Sequence, residues 1–512
     1  IEQTSPWERG RVLAPELDNL AAASARAAGR GDGGTAGVTA LGAWDVLEVR
    51  GPYAEGIRLL EGARSVPGAP DVAIATTLSR AFAAAGRSAE AREAVEWALA
   101  RASDPTERAV ALLERAVLDR EAGRADLARV GFEEALASFR ARGESWLEAR
   151  TALQLGWCEH GRGAHEAART WYASALALAR RVGDLRVEGL ARSRLASLCL
   201  VQGPLADVEA HCEAALTVER AGGYAADEAR TRTVLGIARS MQGRLDEAED
   251  AFRTALAQYR ALGNRHGEAT ALGHLGTVHG HRGQLDASCA LFAEAVALHR
   301  ALGSPSYVAL FLGNLGTTTL FRGATADARA ALEEALAIDR QLDQAVPIGF
   351  VQTRLGDLHA LAGEPEQARA AWIEARDVLR DARAPAQLAL CLIRLAEADR
   401  DDALADEAAT LGAPFPEVAA EVLAERAVQR ARAGRFAEAR ADARRAVGCG
   451  QIGMTGAAVA AARALVSALT GDPGAAAAIA AAEQLLASME VLPSAEVARR
   501  VAEAGRLVAS RR

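Results

Sequence analysis

A glycine recurs every forty residues through the middle of this chain, at Gly123, Gly163, Gly203, Gly243, Gly283, Gly323 and Gly363. A fixed period of this size commits a chain to a repeat architecture, because each unit is one supersecondary element that buries its apolar face only against its neighbours. Gly51, Gly86, Gly434 and Gly471 extend the series at spacings of 35 to 37, and the gap of 71 after Gly363 holds a degenerate unit near Arg400. The series amounts to about twelve units. Seven residues before the anchor stands a small residue preceded by leucine, as in Leu155-Gly156, Leu275-Gly276, Leu315-Gly316 and Leu355-Gly356. Five and twelve residues after it stands alanine, as in Ala168 and Ala175, and between these sits a large plug: Phe132, Tyr172, Phe252, Phe292 or Trp372. Such spacing describes two antiparallel helices that approach closely through small residues, with an aromatic filling the seam. A second series, Gly143, Gly183, Gly223, Gly263 and Gly303, closes the second helix, and Asp343 takes that place in the next unit.

Composition agrees with an all-α chain. Half the residues are hydrophobic but only 4% are aromatic, which favours close-packed helices over sandwiches and barrels. All 59 basic residues are arginine, so the lysine chemistry of phosphate loops, kinases and Schiff bases is excluded within these residues. The net charge of −8 and the lack of a long basic run disfavour nucleic acid as a partner. Six cysteines without a C-x-x-C pair read as reduced, cytoplasmic thiols. The longest apolar stretch, 307–321, is too short to span a membrane.

The positions just described resemble the tetratricopeptide repeat, in its longer, forty-residue form, over roughly 36–486. The resemblance implies an all-α, right-handed superhelical solenoid of antiparallel helix hairpins. Residues 1–35 form an N-terminal helix and Gly-rich linker, 36–144 N-terminal repeat-like units, 145–383 the regular repeats, 384–490 degenerate units and 491–512 a capping helix. That cap, Ser494 to Ser510, presents Val497, Val501 and Val508 on one side and Arg499, Arg500 and Arg506 to water. The run from Pro15 to Leu20, followed by an alanine-rich helix and the stretch from Trp44 to Leu60, resembles the junction where the repeat arm begins in STAND-class signalling ATPases and related bacterial transcriptional regulators.

Gly29, Gly31 and Gly34 spell a G-x-G-x-x-G, but a helix and not a strand precedes it, so it reads as a flexible loop. Five histidines, His266, His274, His279, His281 and His299, concentrate in one unit. His274 and His281 share a helix face roughly 10.5 Å apart along the axis, too far for one ion, so no metal and no cofactor are expected. The family resemblance points instead to the first helix of each hairpin, whose second, fifth, sixth, ninth and twelfth places line an inner groove. Carried onto this chain, those places supply Arg150, Gln154, Trp157, Arg194, Arg230, His274, Asn314 and Arg354 as candidate ligand contacts. Guanidinium forks, amides and one aromatic suit a peptide backbone or a carboxylate; the alternative is that these arginines are solvated or pair across units. Arg150, Gln154, Trp157 and Arg194 lead, because they cluster in two adjacent units.

The resulting expectation is a non-enzymatic scaffold that binds a protein, peptide or small effector, as the sensor arm of a larger cytoplasmic bacterial signalling ATPase or transcriptional regulator. One rival is a free-standing adaptor for protein complexes. Another is an enzyme with its active site in the groove, for which no nucleophile, base and orienter stand at suitable spacing.

Overall fold

The computed structural model describes residues 6–202, 204–449, 453–489, 491 and 495–510, and among them there are helices and turns but no strand. The chain divides into two compact units, one reaching Gln242 and including 257–263, the other holding 243–256 and everything from Asn264. In the first unit lie α1 (Pro6–Leu13), α2 (Leu17–Gly29), α3 (Gly33–Arg50), α4 (Tyr53–Arg64), α5 (Asp71–Ala84), α6 (Ser88–Arg101), α7 (Pro105–Glu121), α8 (Ala125–Arg142), α9 (Ser145–Gly161), α10 (His165–Val182), α11 (Leu185–Gln202), α12 (Leu205–Gly222) and α13 (Ala225–Met241). The dividing line falls within α14 (Leu245–Ala261). The second unit continues with α15 (Arg265–His281), α16 (Leu285–Ala301), α17 (Pro305–Arg322), α18 (Thr325–Gln341), α19 (Ala345–Leu361), α20 (Pro365–Asp381), α21 (Pro385–Asp399), α22 (Asp402–Gly412), α23 (Pro416–Arg432), α24 (Phe436–Gly448), α25 (Gly453–Leu469), α26 (Ala475–Ser488) and α27 (Glu496–Ser510). Within each unit consecutive helices pack as hairpins, such as α9 with α10 and α19 with α20, giving a helical-repeat solenoid.

The anchor glycines make the turns. Gly163 has φ +75°, a left-handed value that costs an L side chain about 1–2 kcal/mol. Around it the N–H of Ala164 donates to the Glu159 carbonyl at 2.9 Å and that of Gly163 to His160 at 3.0 Å, so the carbonyls orphaned at the end of α9 are satisfied. Gly203 of the series lies outside the described residues. In the degenerate unit Arg400 itself adopts φ +54° and closes α21, with the Asp401 N–H donating to Ala396 at 3.0 Å. Asp343 and Arg383 take left-handed values at the closing place of the second helix.

The small residue seven before the anchor seats the plug of its own hairpin. A Cβ on Gly156 would lie 2.5 Å from Tyr172, one on Gly316 2.7 Å from Leu332 and one on Gly356 2.3 Å from Trp372. The plug also reaches onward: the rings of Phe292 and Phe311 in the next hairpin stack 6.2 Å apart.

Two terminal features differ from expectation. The segment 29–37 is not a linker, because after the turn at Arg30 and Gly31 the Asp32 carboxylate caps α3 by accepting from the Thr35 N–H at 3.0 Å. α3 then runs against the loop that follows α4; a Cβ on Gly33 would sit 2.4 Å from the Pro67 carbonyl and one on Gly37 2.3 Å from Pro70. Burial of Ala36, Ala40, Ala43 and Trp44 outweighs the weak helix propensity of the glycines. At the other end Ser494 lies outside the described residues, and Arg500 does not face water. It is buried, pairing with Glu425 at 2.7 Å and with Glu496. α25 to α27 fold back along the first helices of the second unit: Met489 lies against Gly283, Arg499 donates to the Leu361 carbonyl at 3.1 Å, and Glu503 pairs with Arg432 at 3.1 Å.

Candidate functional site

In the first unit, α3 and the first helices α5, α7, α9, α11 and α13 present charged side chains around a cavity of about 270 Å³. Most of these charges are committed to one another. Arg80 lies 3.1 Å from Glu48 and 3.5 Å from Glu114; Glu114 also accepts from Arg150 at 2.8 Å. Asp227 accepts from Arg186 at 2.9 Å and from Arg230 at 3.2 Å, and these guanidiniums hold its buried carboxyl below the usual range against the cost of burial. Arg150, expected as a leading ligand contact, is thus buried and paired with a carboxylate 36 residues earlier. Arg230 is likewise engaged.

Gln154, Trp157 and Arg194 are placed differently. The Trp157 ring is 36% exposed and sandwiched, with the Arg120 guanidinium 3.6 Å from its centroid and that of Arg194 at 3.8 Å. Arg120 has Glu121 at 3.4 Å, but its Nε is buried with no hydrogen-bond partner. Arg194 has no carboxylate partner among the described residues. Burial, and then repulsion from Arg230, lowers its pKa to about 10, so the guanidinium stays charged at neutral pH while lacking both full hydration and a counter-ion. The Gln154 Oε1 is buried without a donor. Two guanidiniums each within 4 Å of one indole keep hydrogen-bonding edges that can engage a carboxylate or another planar anion.

The remaining expected contacts lie in the second unit. His274 is stacked on Phe252 at 5.2 Å with Phe311 at 6.4 Å; burial lowers its pKa to about 4, and it packs as a neutral ring between aromatics. His299 is buried between Tyr307 and Phe311, with both ring nitrogens unpartnered. Among the described residues no group of three or more histidine, cysteine or acidic side chains could hold a metal ion. Arg354 pairs with Asp357 at 3.1 Å, beside the buried lattice of Arg394, Glu421, Glu425 and Arg500 under α27. Asn314 lines a separate cavity of about 600 Å³ beside α17, α18 and α19. Sequence reasoning missed Arg120, which occupies the twelfth place of its helix and was signalled by that register alone.

The repeat geometry and the sequence meet in one family. The profile of the tetratricopeptide repeat matches residues 107–181, 188–261 and 267–341. Residues 107–341 are tetratricopeptide repeats. Arg120, Trp157 and Arg194 thus stand on tetratricopeptide first helices, and Asn314 and Asp339 on the matched repeats of the second unit. No curated protein matches the sequence. Among solved structures, a Rap protein complexed with competence and sporulation factor is similar at 11% identity and TM-score 0.46, over 77% of this chain and 99% of that one. Aspartyl phosphate phosphatase F from Bacillus subtilis matches at 11% identity and TM-score 0.44, over 68% and 92%. A STAND protein with a tetratricopeptide repeat sensor from Pyrococcus horikoshii matches at 15% identity and TM-score 0.46, over 73% of this chain and 55% of that protein. No helix among the described residues is long and apolar enough to cross a membrane.

Proposed function

We propose that the first unit is a recognition surface for an extended acidic segment of a partner protein, whose carboxylate sits on the Arg120, Trp157 and Arg194 stack. The observation that carries this reading is Arg194: a half-buried guanidinium without a counter-ion, in a face whose other guanidiniums at 80, 150, 186 and 230 each have one. A desolvated charge without a partner costs stability, and a ligand carboxylate supplies the missing half of the pair. The backbone of the segment would run along the first helices toward Gln154.

An array of acidic peptides, each matched by its amide counterpart, tests this with the wild type and the Arg194→Ala and Trp157→Ala variants, with helicity checked by circular dichroism. Peptides that bind the wild type and lose about tenfold or more in either variant support it. Equal binding of acidic and amidated peptides, or equal binding by wild type and variants, refutes it. We further propose that the repeats serve as the sensor arm of a cytoplasmic bacterial signalling ATPase or transcriptional regulator, a reading supported by the junction-like sequence from Pro15 to Leu60. The coding sequence ahead of the Ile1 codon tests that part separately: an unrelated module there removes it and leaves the peptide site standing.

A further inference from the structure

The second unit contains a buried acid that nothing in the fold employs. Asp339, in the last turn of α18, is 2% exposed, yet no hydrogen bond or ion pair reaches its carboxylate among the described residues. Its register shows why. Glu219 occupies the same repeat position and accepts from the Thr231 hydroxyl at 2.9 Å, twelve residues on; twelve residues after Asp339 stands Val351, which has no donor to offer. Phe139 and Leu379 fill this position elsewhere and are fully buried, so an apolar side chain packs there without difficulty. The adjacent Arg340 is drawn away to Glu374 at 2.6 Å. Burial alone raises the Asp339 carboxyl to about 6, so it is an anion at neutral pH.

Asp339 lines the 600 Å³ cavity beside α17, α18 and α19, a volume within the roughly 300–1,000 Å³ of small-ligand sites. The other walls are Tyr307, Leu310, Val346 and Phe350, with the amides of Asn314 and Gln387. Leu310 is 48% exposed. The arrangement is a half-open, mainly apolar cavity with aromatic side chains, a few neutral polar groups and a single carboxylate in its lining.

We infer that this chamber binds an apolar ammonium compound, with the Asp339 carboxylate as counter-ion. A primary ammonium has three donors: one meets the carboxylate, and amide oxygens such as those of Asn314 and Gln387 can accept the others. Tyr307 and Phe350 offer ring faces that attract a cation, and the aliphatic walls take the organic body. The same chemistry can come from a free amine or from a lysine side chain in a peptide. The site is independent of the acidic-segment reading for the first unit.

The test uses the full chain and a panel of butyl-, hexyl-, 2-phenylethyl- and 2-indolylethylammonium, each paired with its neutral alcohol, measured by calorimetry at about pH 8, where amine and Asp339 are both charged. At least one amine is expected to bind the wild type about tenfold or more tighter than its alcohol, and Asp339→Asn abolishes that preference. Arg194→Ala leaves it unchanged. Asp339→Leu binds no amine, and its melting temperature rises because an unpaired buried charge has been removed, which separates loss of the site from loss of the fold. An acetylated, amidated Leu-Lys-Leu peptide forms a second arm, and tighter binding by it than by any free amine assigns the source to a peptide lysine. The inference is overturned if no amine and no lysine peptide binds, if amines and alcohols bind alike, or if Asp339→Asn keeps the preference.

Discussion

The seat beneath Trp372 offers a quantitative test of how these hairpins are held. In Gly356→Ala the new Cβ would lie 2.3 Å from the indole Nε1 and 2.4 Å from Cδ1, whereas relaxed contacts require about 3.5 Å. The ring must therefore retreat by about 1 Å. Trp372 is only 7% exposed, so it has little room, and its N–H donates to the Thr353 carbonyl at 3.2 Å with Asp357 Oδ1 at 3.3 Å. Forced repacking costs about 1–3 kcal/mol and the weakened hydrogen bond about 1 kcal/mol. Replacing glycine by alanine inside a helix returns about 1 kcal/mol, so the net loss is about 1–3 kcal/mol. Gly505→Ala in α27 is the contrast: nothing lies within 4 Å of its Cβ, and the helix gains about 0.5–1 kcal/mol. Because a repeat array opens by neighbouring units, the assay is amide hydrogen exchange resolved by peptide, alongside urea unfolding by circular dichroism. Exchange in α19 and α20 should accelerate in Gly356→Ala before other segments respond. A Gly356→Ala protein that matched the Gly505→Ala gain would show that the seat beneath Trp372 is not close-packed.

Three further outcomes follow from buried charge. Arg500→Ala leaves Glu425 with Arg394 alone, at 3.3 Å, and removes the guanidinium paired with Glu496, a loss of about 1.5–3 kcal/mol, and exchange or proteolysis should find α27 released while α9 and α10 stay protected. Glu219 has its carboxyl raised to about 7 by burial and then by Asp227, so its folded form holds a proton that the unfolded form releases at about pH 4.3. The stability this confers is present at low pH and lost as pH rises through 7; Glu219→Gln should match the wild type at about pH 4 and exceed it by about 2–3 kcal/mol at about pH 8, measured as urea midpoints. His299 has the opposite sign: burial lowers it to about 4, the unfolded ring takes its proton near pH 6.5, and stability falls as pH drops between the two. His299→Phe should remove about 2–3 kcal/mol of that acid sensitivity, leaving the portion due to His274.

The glycine period made the hairpins legible because a left-handed turn every forty residues has few chemical solutions, and Arg400 sits at the turn of the degenerate unit. The Gly-rich segment at 29–37 was misleading because composition cannot show that Pro67 and Pro70 stand against Gly33 and Gly37, and close approach is what turns those glycines from loop formers into helix. At the site, register arithmetic pointed to Trp157 and Arg194, whose ring and guanidinium lie 3.8 Å apart. It could not foresee that Glu114 claims Arg150, since that pairing depends on side-chain reach between α7 and α9 and not on which face a residue occupies. Asp339 was legible in principle: in a column that also holds Phe139, Tyr259 and Leu379, an acid needs a donor twelve residues on, which Glu219 has in Thr231 and Asp339 lacks at Val351.

Arginine at the sixth place of the first helix has two fates here, and the difference lies in what stands at the ninth place of its own or the preceding repeat. Arg354 finds Asp357 at its own ninth place, and Arg394 finds the same Asp357 at 3.1 Å together with Glu421 at 2.7 Å, so both are neutralised within the second unit. Three residues after Arg194 stands Ser197, with no charge to give, while one repeat earlier the ninth place is Trp157, which attracts the guanidinium face without cancelling its charge. A cation on an aromatic keeps its outward hydrogen-bonding edge for something else, whereas a cation in a carboxylate fork does not. The net charge of −8 therefore says little about what either unit recognises. Pairing leaves a surplus guanidinium at Arg194 in the first unit and a surplus carboxylate at Asp339 in the second, and those two residues argue for ligands of opposite charge on one chain.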